Sequence, residues 1–301
     1  MKKCLVVLLI IVGATALIGY PHSIATAQAS VAKGPYLGQT PPGKSPQIFA
    51  QGFFSNRNVV GCTFYPDGSE FYFSQFISNS NRIMVTKHEE SGWTEPVLAG
   101  FNKGFFGGPP FISPDGTRFI WRAVRPFPAN WPGVKPKSGS REEVVYWNMH
   151  KTETGWTDPE PFLLPIPDNS HLHGISMTLD GTIYICYSNL IVRIVCKGQG
   201  FLEPEIVLKG YPGAYPAVAP DENFLVFTKQ GNPRHLAVIF RNEDSSWTEP
   251  KNLGDKINQK GMNGYPYISY DGQYLFYTVN HRIYWISTEA IKDLGDGLFG
   301  P

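Results

Sequence analysis

From residue 44 onward apolar and polar positions mostly alternate, the two-residue period of half-buried strands, and no stretch holds a helical period over three turns. One turn interrupts the alternation again and again. "FYPDGSEFYF" (64–73), "ISPDGTRFIW" (112–121), "MTLDGTIYIC" (177–186), "VAPDENFLVF" (218–227) and "ISYDGQYLFY" (268–277) share one template. A short apolar strand enters Pro-Asp-Gly, and an aromatic strand leaves it. Proline pre-sets φ for the first central position of a type I turn, glycine suits its last position, and aspartate bonds the backbone beside it. The turn aspartates Asp67, Asp115, Asp180, Asp221 and Asp271 lie 48, 65, 41 and 50 residues apart. Their recurrence on every unit marks them as architecture.

Antiparallel repeats of this length predict propeller blades. The wide second interval holds one Pro/Gly-rich insertion at 124–143. The first unit parses into strands at about 59–65, 70–76, 82–87 and 96–100. A second phrase opens the outer strand: "WTEP" at 93, "WTDP" at 156, "FLEP" at 201 and "WTEP" at 247. From its proline to the next turn aspartate the chain runs 19, 21, 17 and 21 residues, and the stray "SPQIFAQGF" at 45–53 fits, with 21 from Pro46 to Asp67. The last unit ends at "HRIYWISTEAIKDL" with three strands. The N-terminal phrase therefore supplies the missing fourth strand and removes two exposed edges at once. The expected fold is all-β: one propeller of five four-stranded blades, or six if residues 30–60 hide a degenerate blade. The phrase's tryptophans should pack between neighbouring blades.

Fourteen per cent aromatic residues with 31 Gly and 26 Pro agree with many short strands and tight turns. The Pro-Asp-Gly turns, "NLGDKINQKGMNGYPYISYDGQYLFYTVN" and the terminal "RIYWIS" resemble the TolB-like propellers with WD-like PD repeats, over about residues 44–290. Many such repeats carry an acidic residue shortly before the inner strand's proline, where this chain has none. The resemblance implies an exported bacterial propeller serving as a scaffold for protein or ligand binding rather than one reaction.

The ends set the compartment. Met1-Lys2-Lys3 followed by an apolar run to Tyr20, with Ala-x-Ala sites at 25–27 and 27–29, reads as a secretory signal peptide over 1–29. An uncleaved anchor is disfavoured by Pro21 and those sites. An N-terminal extension (30–43), the propeller (44–290) and a C-terminal tail (291–301) follow. The expected product is a secreted or periplasmic monomer with no membrane span after cleavage. Cys62, Cys186 and Cys196 lack Cys-x-x-Cys spacing. Cys186 and Cys196 are close enough in sequence to bridge on neighbouring strands, or to stay as buried thiols.

The net charge of +1 hides a sorting by face. One face carries the turns and collects acids such as Asp67, Glu70, Asp115, Asp158, Glu222 and Asp271. The opposite loop face collects Arg57, Arg82, Arg122, Arg125, Lys229, Arg234 and Arg282 against few acids, chiefly Glu142, Glu143, Asp168 and Asp255. A basic face suits an anionic partner. Lys135, Lys137, Lys256 and Lys260 read as solvated loop charges, whereas Arg122 and Arg125 stand at the root of the longest loop, aimed at the central mouth. With Trp121, His171, His173, Lys229 and His281 they form the candidate ligand-binding set. Phe105, Phe106, Trp131, Tyr211 and Tyr215 lie near the same mouth and suit sugar stacking. His171 or His173 with His235 and His281 raises the question of a metal, but the spacing is that of ordinary strands, and no metal or cofactor is assigned. No catalytic serine elbow, phosphate loop or zinc pattern occurs, and nothing points to nucleic acid. The expected function is an exported binding module for an anionic glycan or an envelope protein. The alternatives are a carbohydrate-active enzyme, a uronate-directed lyase before a two-carboxylate glycosidase, and a periplasmic interaction hub.

Overall fold

We describe residues 34–54, 57–78, 80–101, 106–125, 143–167, 172–198, 200–210 and 213–295 in a computed structural model of the chain. Five antiparallel blades form a ring with their inner strands around one axis. From inside outward, blade 1 runs Val59–Phe64, Glu70–Ile77, Ser80–Glu89 and Val97–Leu98. Blade 2 runs Phe106–Ile112, Arg118–Arg125, Glu143–Thr152 and Glu160–Pro161, with most of the insertion outside the described residues. Blade 3 runs Leu172–Met177, Ile183–Tyr187, Leu190–Ile194 and Glu205–Lys209. Blade 4 runs Gly213–Val218, Phe224–Lys229, His235–Phe240 and Lys251–Asn252. Blade 5 holds Asn263–Ile268, Tyr274–Val279 and Arg282–Ser287.

The fourth strand of blade 5 is Gln47–Ile48, with Gln47 opposite Trp285 and Ile48 opposite Tyr284. Residues 34–54 thus supply a closing strand, and no sixth blade forms among the described residues. Phe49 extends the seam, its N–H donating to the Ile283 carbonyl at 2.8 Å. Its ring is fully buried among Phe64, Phe71, Phe276 and Trp285. Upstream, Leu37 is buried too, and Tyr36 packs on Phe64, Tyr274 and Trp285.

All five outer strands begin one residue after the proline of their phrase, at Gln47, Val97, Glu160, Glu205 and Lys251. Proline has no N–H to offer the ladder, so pairing starts after it. This removes Pro96 from the first outer strand, which runs Val97–Leu98 against the expected 96–100. The phrase's threonine does a second job. Thr94, Thr157 and Thr248 accept a neighbouring backbone N–H on Oγ1, at 3.1, 3.0 and 3.0 Å. The tryptophans reach the preceding blade as expected: Trp156 meets Tyr65, and Trp247 meets Tyr184. Trp93 donates Nε1–H to the Gly34 carbonyl on the closing segment at 2.8 Å.

Each turn aspartate accepts the backbone N–H two residues on, at 2.8 to 3.2 Å. The following residue is left-handed: Gly68, Gly116, Gly181 and Gly272 at φ 70 to 86°, and Glu222 at 58°. In blades 2, 3 and 5 a hydroxyl from Ser113, Thr178 or Ser269 also donates to the carboxylate. Burial raises the Asp115 carboxyl, but the bonds from Ser113 and Thr117 outweigh it and hold the group below its ordinary value of 3.8. The Thr178 hydroxyl foremost lowers Asp180. A depressed native pKa contributes stability that is present above the unfolded value and withdrawn as pH falls through the folded one. The urea midpoint should therefore drop as pH falls below about 4, and an Asp115→Asn, Asp180→Asn variant should lose less between pH 6 and pH 3 than the parent. A variant whose midpoint falls as steeply as the parent's would show that these carboxylates do not set the acid limit.

Cys62, Cys186 and Cys196 are free thiols. Cys186 is buried in blade 3, and burial pushes it up to about 12. Cys196 is exposed past the far end of the next strand, with its thiol toward the Gly181 carbonyl.

Candidate functional site

The inner strands surround a central cavity of about 930 Å³, open solvent at its mouth included. Every inner strand slips register by a bulge at the same height. The residue six before the turn aspartate sits in that bulge: Gly61, Pro109, Gly174, Tyr215 and Tyr265. The axis is crowded there. A Cβ on Gly174 would lie 2.2 Å from the Tyr215 Cα, and one on Gly61 would lie 2.6 Å from the Pro109 Cβ. Gly61 and Gly174 take φ of 65 and 76°, which glycine adopts freely. Tyr215 and Tyr265 take 53 and 54°, a conformation costing a bulky residue about 1–3 kcal/mol. Their rings meet at 4.3 Å between centroids, and the His173 ring stands 6.4 Å from Tyr215.

A second register position explains the charge in the cavity. Seven residues after the turn aspartate stand Ser74, Arg122, Tyr187, Thr228 and Thr278. Ser74 donates to the Gly108 carbonyl at 2.9 Å, and Thr278 accepts the Gly61 N–H at 3.2 Å. These short hydroxyls lace one blade to the next. Arg122 breaks the pattern. Its half-buried side chain lines the cavity, and its Nε is buried with no hydrogen-bond partner. Arg122 is the sole charged side chain among the described residues of the lining, which includes no Asp or Glu.

Tyrosines supply the remaining polarity. Tyr146 lies opposite Arg122 in the blade 2 ladder. Burial raises the Tyr146 hydroxyl above its ordinary range, although the Arg122 charge pulls the other way. Burial, then the neighbouring Tyr265, raises Tyr215 against the charges of Arg122 and Arg234. Toward the turn face, Tyr270 of blade 5 reaches 3.3 Å from Thr63 Oγ1 of blade 1 and donates its hydroxyl to the Ile112 carbonyl of blade 2. Tyr267 beside it accepts the Phe64 N–H at 3.4 Å.

Of the residues singled out from sequence, the structure brings Arg122 and Tyr215 into the cavity, with His173 alongside. Trp121 goes elsewhere. Strand alternation turns it away from Arg122 into the core with Phe101 and Phe119, 1% exposed. Lys229 ends the second strand of blade 4 outside the lining. His281 is exposed in the blade 5 hairpin, where its carbonyl accepts the Val59 N–H at 3.0 Å. Arg125 ends the strand Arg118–Arg125, and its side chain lies outside the description, as do His171, Phe105, Trp131, Tyr211 and the side chain of Phe106. Sequence reasoning missed Tyr146, Tyr265, Tyr267 and Tyr270. Aligning the five repeats on their aspartates exposes the signal: Tyr265, like Tyr215, fills a position that blades 1 to 3 give to glycine or proline, and Tyr270 fills one that the other blades give to proline or leucine.

No protein-family model matches the chain, and no curated protein matches it. Among solved structures it is similar to TolB from Acinetobacter baumannii, with 14% identity and a TM-score of 0.47, over 77% of this chain and 54% of that one. The chain thus spans about half the length of that TolB. A gluconolactonase from Xanthomonas campestris is 10% identical with a TM-score of 0.44, over 82% and 97%. An oligogalacturonate lyase from Vibrio parahaemolyticus is 13% identical with a TM-score of 0.41, over 85% and 90%. At these identities the likeness is one of fold. Among the described residues no helix is long and apolar enough to cross a membrane.

Proposed function

We propose that this five-bladed propeller is an exported binding module whose central cavity takes an anionic glycan or another anionic envelope component. The observation that carries the reading is Arg122, a guanidinium whose buried Nε lacks a partner in a cavity with no carboxylate among its described lining. A buried donor left without an acceptor is costly, and a ligand carboxylate or phosphate meets the guanidinium fork in bidentate fashion. The tyrosines around it stay protonated at neutral pH, because burial raises Tyr146, Tyr215, Tyr267 and Tyr270. Tyr146, beside Arg122, is then a donor toward an anion, whereas the Tyr270 hydroxyl is committed to the Ile112 carbonyl.

The same shifts favour binding over turnover. Abstracting a proton from a uronate needs a base poised near the working pH, and these hydroxyls are pushed away from it. A two-carboxylate glycosidase mechanism needs a pair of acids across the scissile bond, which the described lining does not supply.

The test is titration calorimetry with an oligouronate and its neutral counterpart. Arg122→Ala should weaken the uronate about 10- to 100-fold, the worth of one charge-assisted contact. It should leave the neutral sugar and the urea midpoint nearly unchanged, and Arg122→Lys should retain part of the affinity. Binding should weaken modestly with salt, since the charge is only half-buried. Equal affinity of the parent protein for both sugars would defeat the anionic reading.

A further inference from the structure

The cavity has a floor, and the floor restricts what enters. In blades 1 to 4 the residue before the turn aspartate is Pro66, Pro114, Leu179 or Pro220, none of which carries a side-chain hydroxyl. Blade 5 has Tyr270, whose side chain forms a chord of the ring from blade 5 past Thr63 to the Ile112 carbonyl of blade 2. Tyr267 and Tyr270 also line a separate depression on the turn face, with Tyr36, Tyr65 and Asp67. The two tyrosines are thus the partition between the central cavity and the opposite face.

Above the partition the polar groups share one level. Tyr267 and Tyr270 close the turn-face end, and Arg122, with Tyr146 beside it, stands opposite the blade 2 bulge, at the height of the bulges that hold Tyr215 and Tyr265. Two neighbouring blades hold a tyrosine in the left-handed bulge where blades 1 and 3 use glycine. Backbone strain of that kind persists where surrounding structure enforces it, and it concentrates at ligand-binding positions. The lining comes from the inner strands of all five blades, so the cavity is a well walled on every side rather than a groove for a long polymer.

Resting on the anionic-glycan reading, we infer that the cavity recognises the terminal residue of a uronate chain, or the free sugar acid, and not an internal segment. The sugar ring stacks against Tyr215 and Tyr265, its carboxylate meets Arg122, and Tyr270 stops the chain from threading through. Tyr215, Tyr265 and Tyr270 are the specificity-determining residues of the site.

The experiment is calorimetric titration of the full chain with galacturonate monomer, dimer, tetramer and hexamer, and with a hexamer whose two terminal carboxyls are reduced to alcohols. Affinity should stay within threefold from the shortest binder to the hexamer, and the end-reduced hexamer should bind at least tenfold more weakly than the intact one. A monomer matching the hexamer assigns the site to the free sugar acid, and a monomer at least tenfold weaker than the dimer assigns it to chain ends. Tyr270→Leu, which places the residue of blade 3 in blade 5, should let the hexamer bind at least threefold tighter than the dimer. Tyr270→Phe, which keeps the ring, should behave as the parent. A tenfold gain from dimer to hexamer in the parent, or undiminished binding of the end-reduced hexamer, would overturn terminal recognition while leaving the uronate site standing. No binding by any member overturns the uronate reading itself and this inference with it.

Discussion

Phe49→Ala should cost about 3–5 kcal/mol of unfolding free energy, the range for truncating a buried phenylalanine. Phe49 is fully buried where the N-terminal strand meets the last blade, ringed by Phe54, Phe64, Phe71, Phe276 and Trp285. Those partners come from blades 1 and 5 and from the closing segment itself, so a cavity there loosens the whole seam. Domain stabilities are typically about 5–15 kcal/mol, and this one substitution removes a large share. Deleting residues 34–54 removes Leu37, Phe49 and Phe54 together and bares two strand edges. The truncated chain should aggregate rather than run as a folded monomer. Gln47→Ala, at an exposed position of the same strand, should stay within about 0.5 kcal/mol of the parent. Urea unfolding and light scattering after size exclusion read both effects. A Phe49→Ala protein losing less than about 1 kcal/mol would mean that the seam does not hold the ring.

Glu222→Gly should destabilise the protein by about 2 kcal/mol, although glycine is the residue its turn prefers. In the other four blades this position is glycine in the left-handed region, and Glu222 adopts the same conformation at φ 58°. Relieving that strain alone would stabilise the fold by about 1 kcal/mol. The side chain reverses the sign. Its Oε1 accepts from the Tyr184 hydroxyl at 2.9 Å and from Arg193 Nε at 3.0 Å, both on blade 3. Its Oε2 takes a second bond from Arg193 at 3.3 Å and one from Arg241 of blade 4. Glu222 and Arg193 are each 15% exposed and Arg241 23%, so the carboxylate locks two blades through a largely buried network. Removing it leaves the Arg193 and Arg241 guanidiniums without the carboxylate they share, Arg193 keeping the exposed Glu205 at 3.2 Å. Loss of one partner costs about 3–5 kcal/mol when a pair is fully buried, and partial exposure lowers that before the relief of strain is subtracted. Glu222→Gln should fall between parent and glycine variant. A glycine variant as stable as the parent would show that the turn, and not the network, decides this position.

Both positions also show how far the chain could be read before its structure. The aspartate turns, the proline just before each outer strand and the threonine two residues ahead of it are backbone chemistry within a few residues. The aspartate and the proline recur once per blade and the threonine in blades 1, 2 and 4, and such local terms write themselves into sequence at measurable intervals. Ring closure through Gln47–Ile48 was legible for the same reason, because a repeated phrase at the wrong end of the chain has one place to go. Charge sorting by face singled out Arg122, but it also collected Lys229, and the histidines near the mouth brought in His281; neither lines the cavity. Charge sorting counted Glu222 among the acids of the turn face, where the structure finds a lock between blades.

What the sequence alone determined is therefore the repeated part: the all-β architecture, the blades with their turns, and their closure, while the choice of five blades over six came from the structure. What only the tertiary structure decided is the cavity. Trp121 and Arg122 are neighbours in the chain, yet the pleat sends one to the core and the other to the axis. Tyr215 and Tyr265 meet because two bulges stand at the same height on adjacent blades. Tyr270 closes the floor by bonding a residue 158 positions away. Each of these residues departs from the repeat, and no local term records a departure. Its meaning depends on which side chains the closed ring brings to one axis, and that is fixed only when every blade is in place.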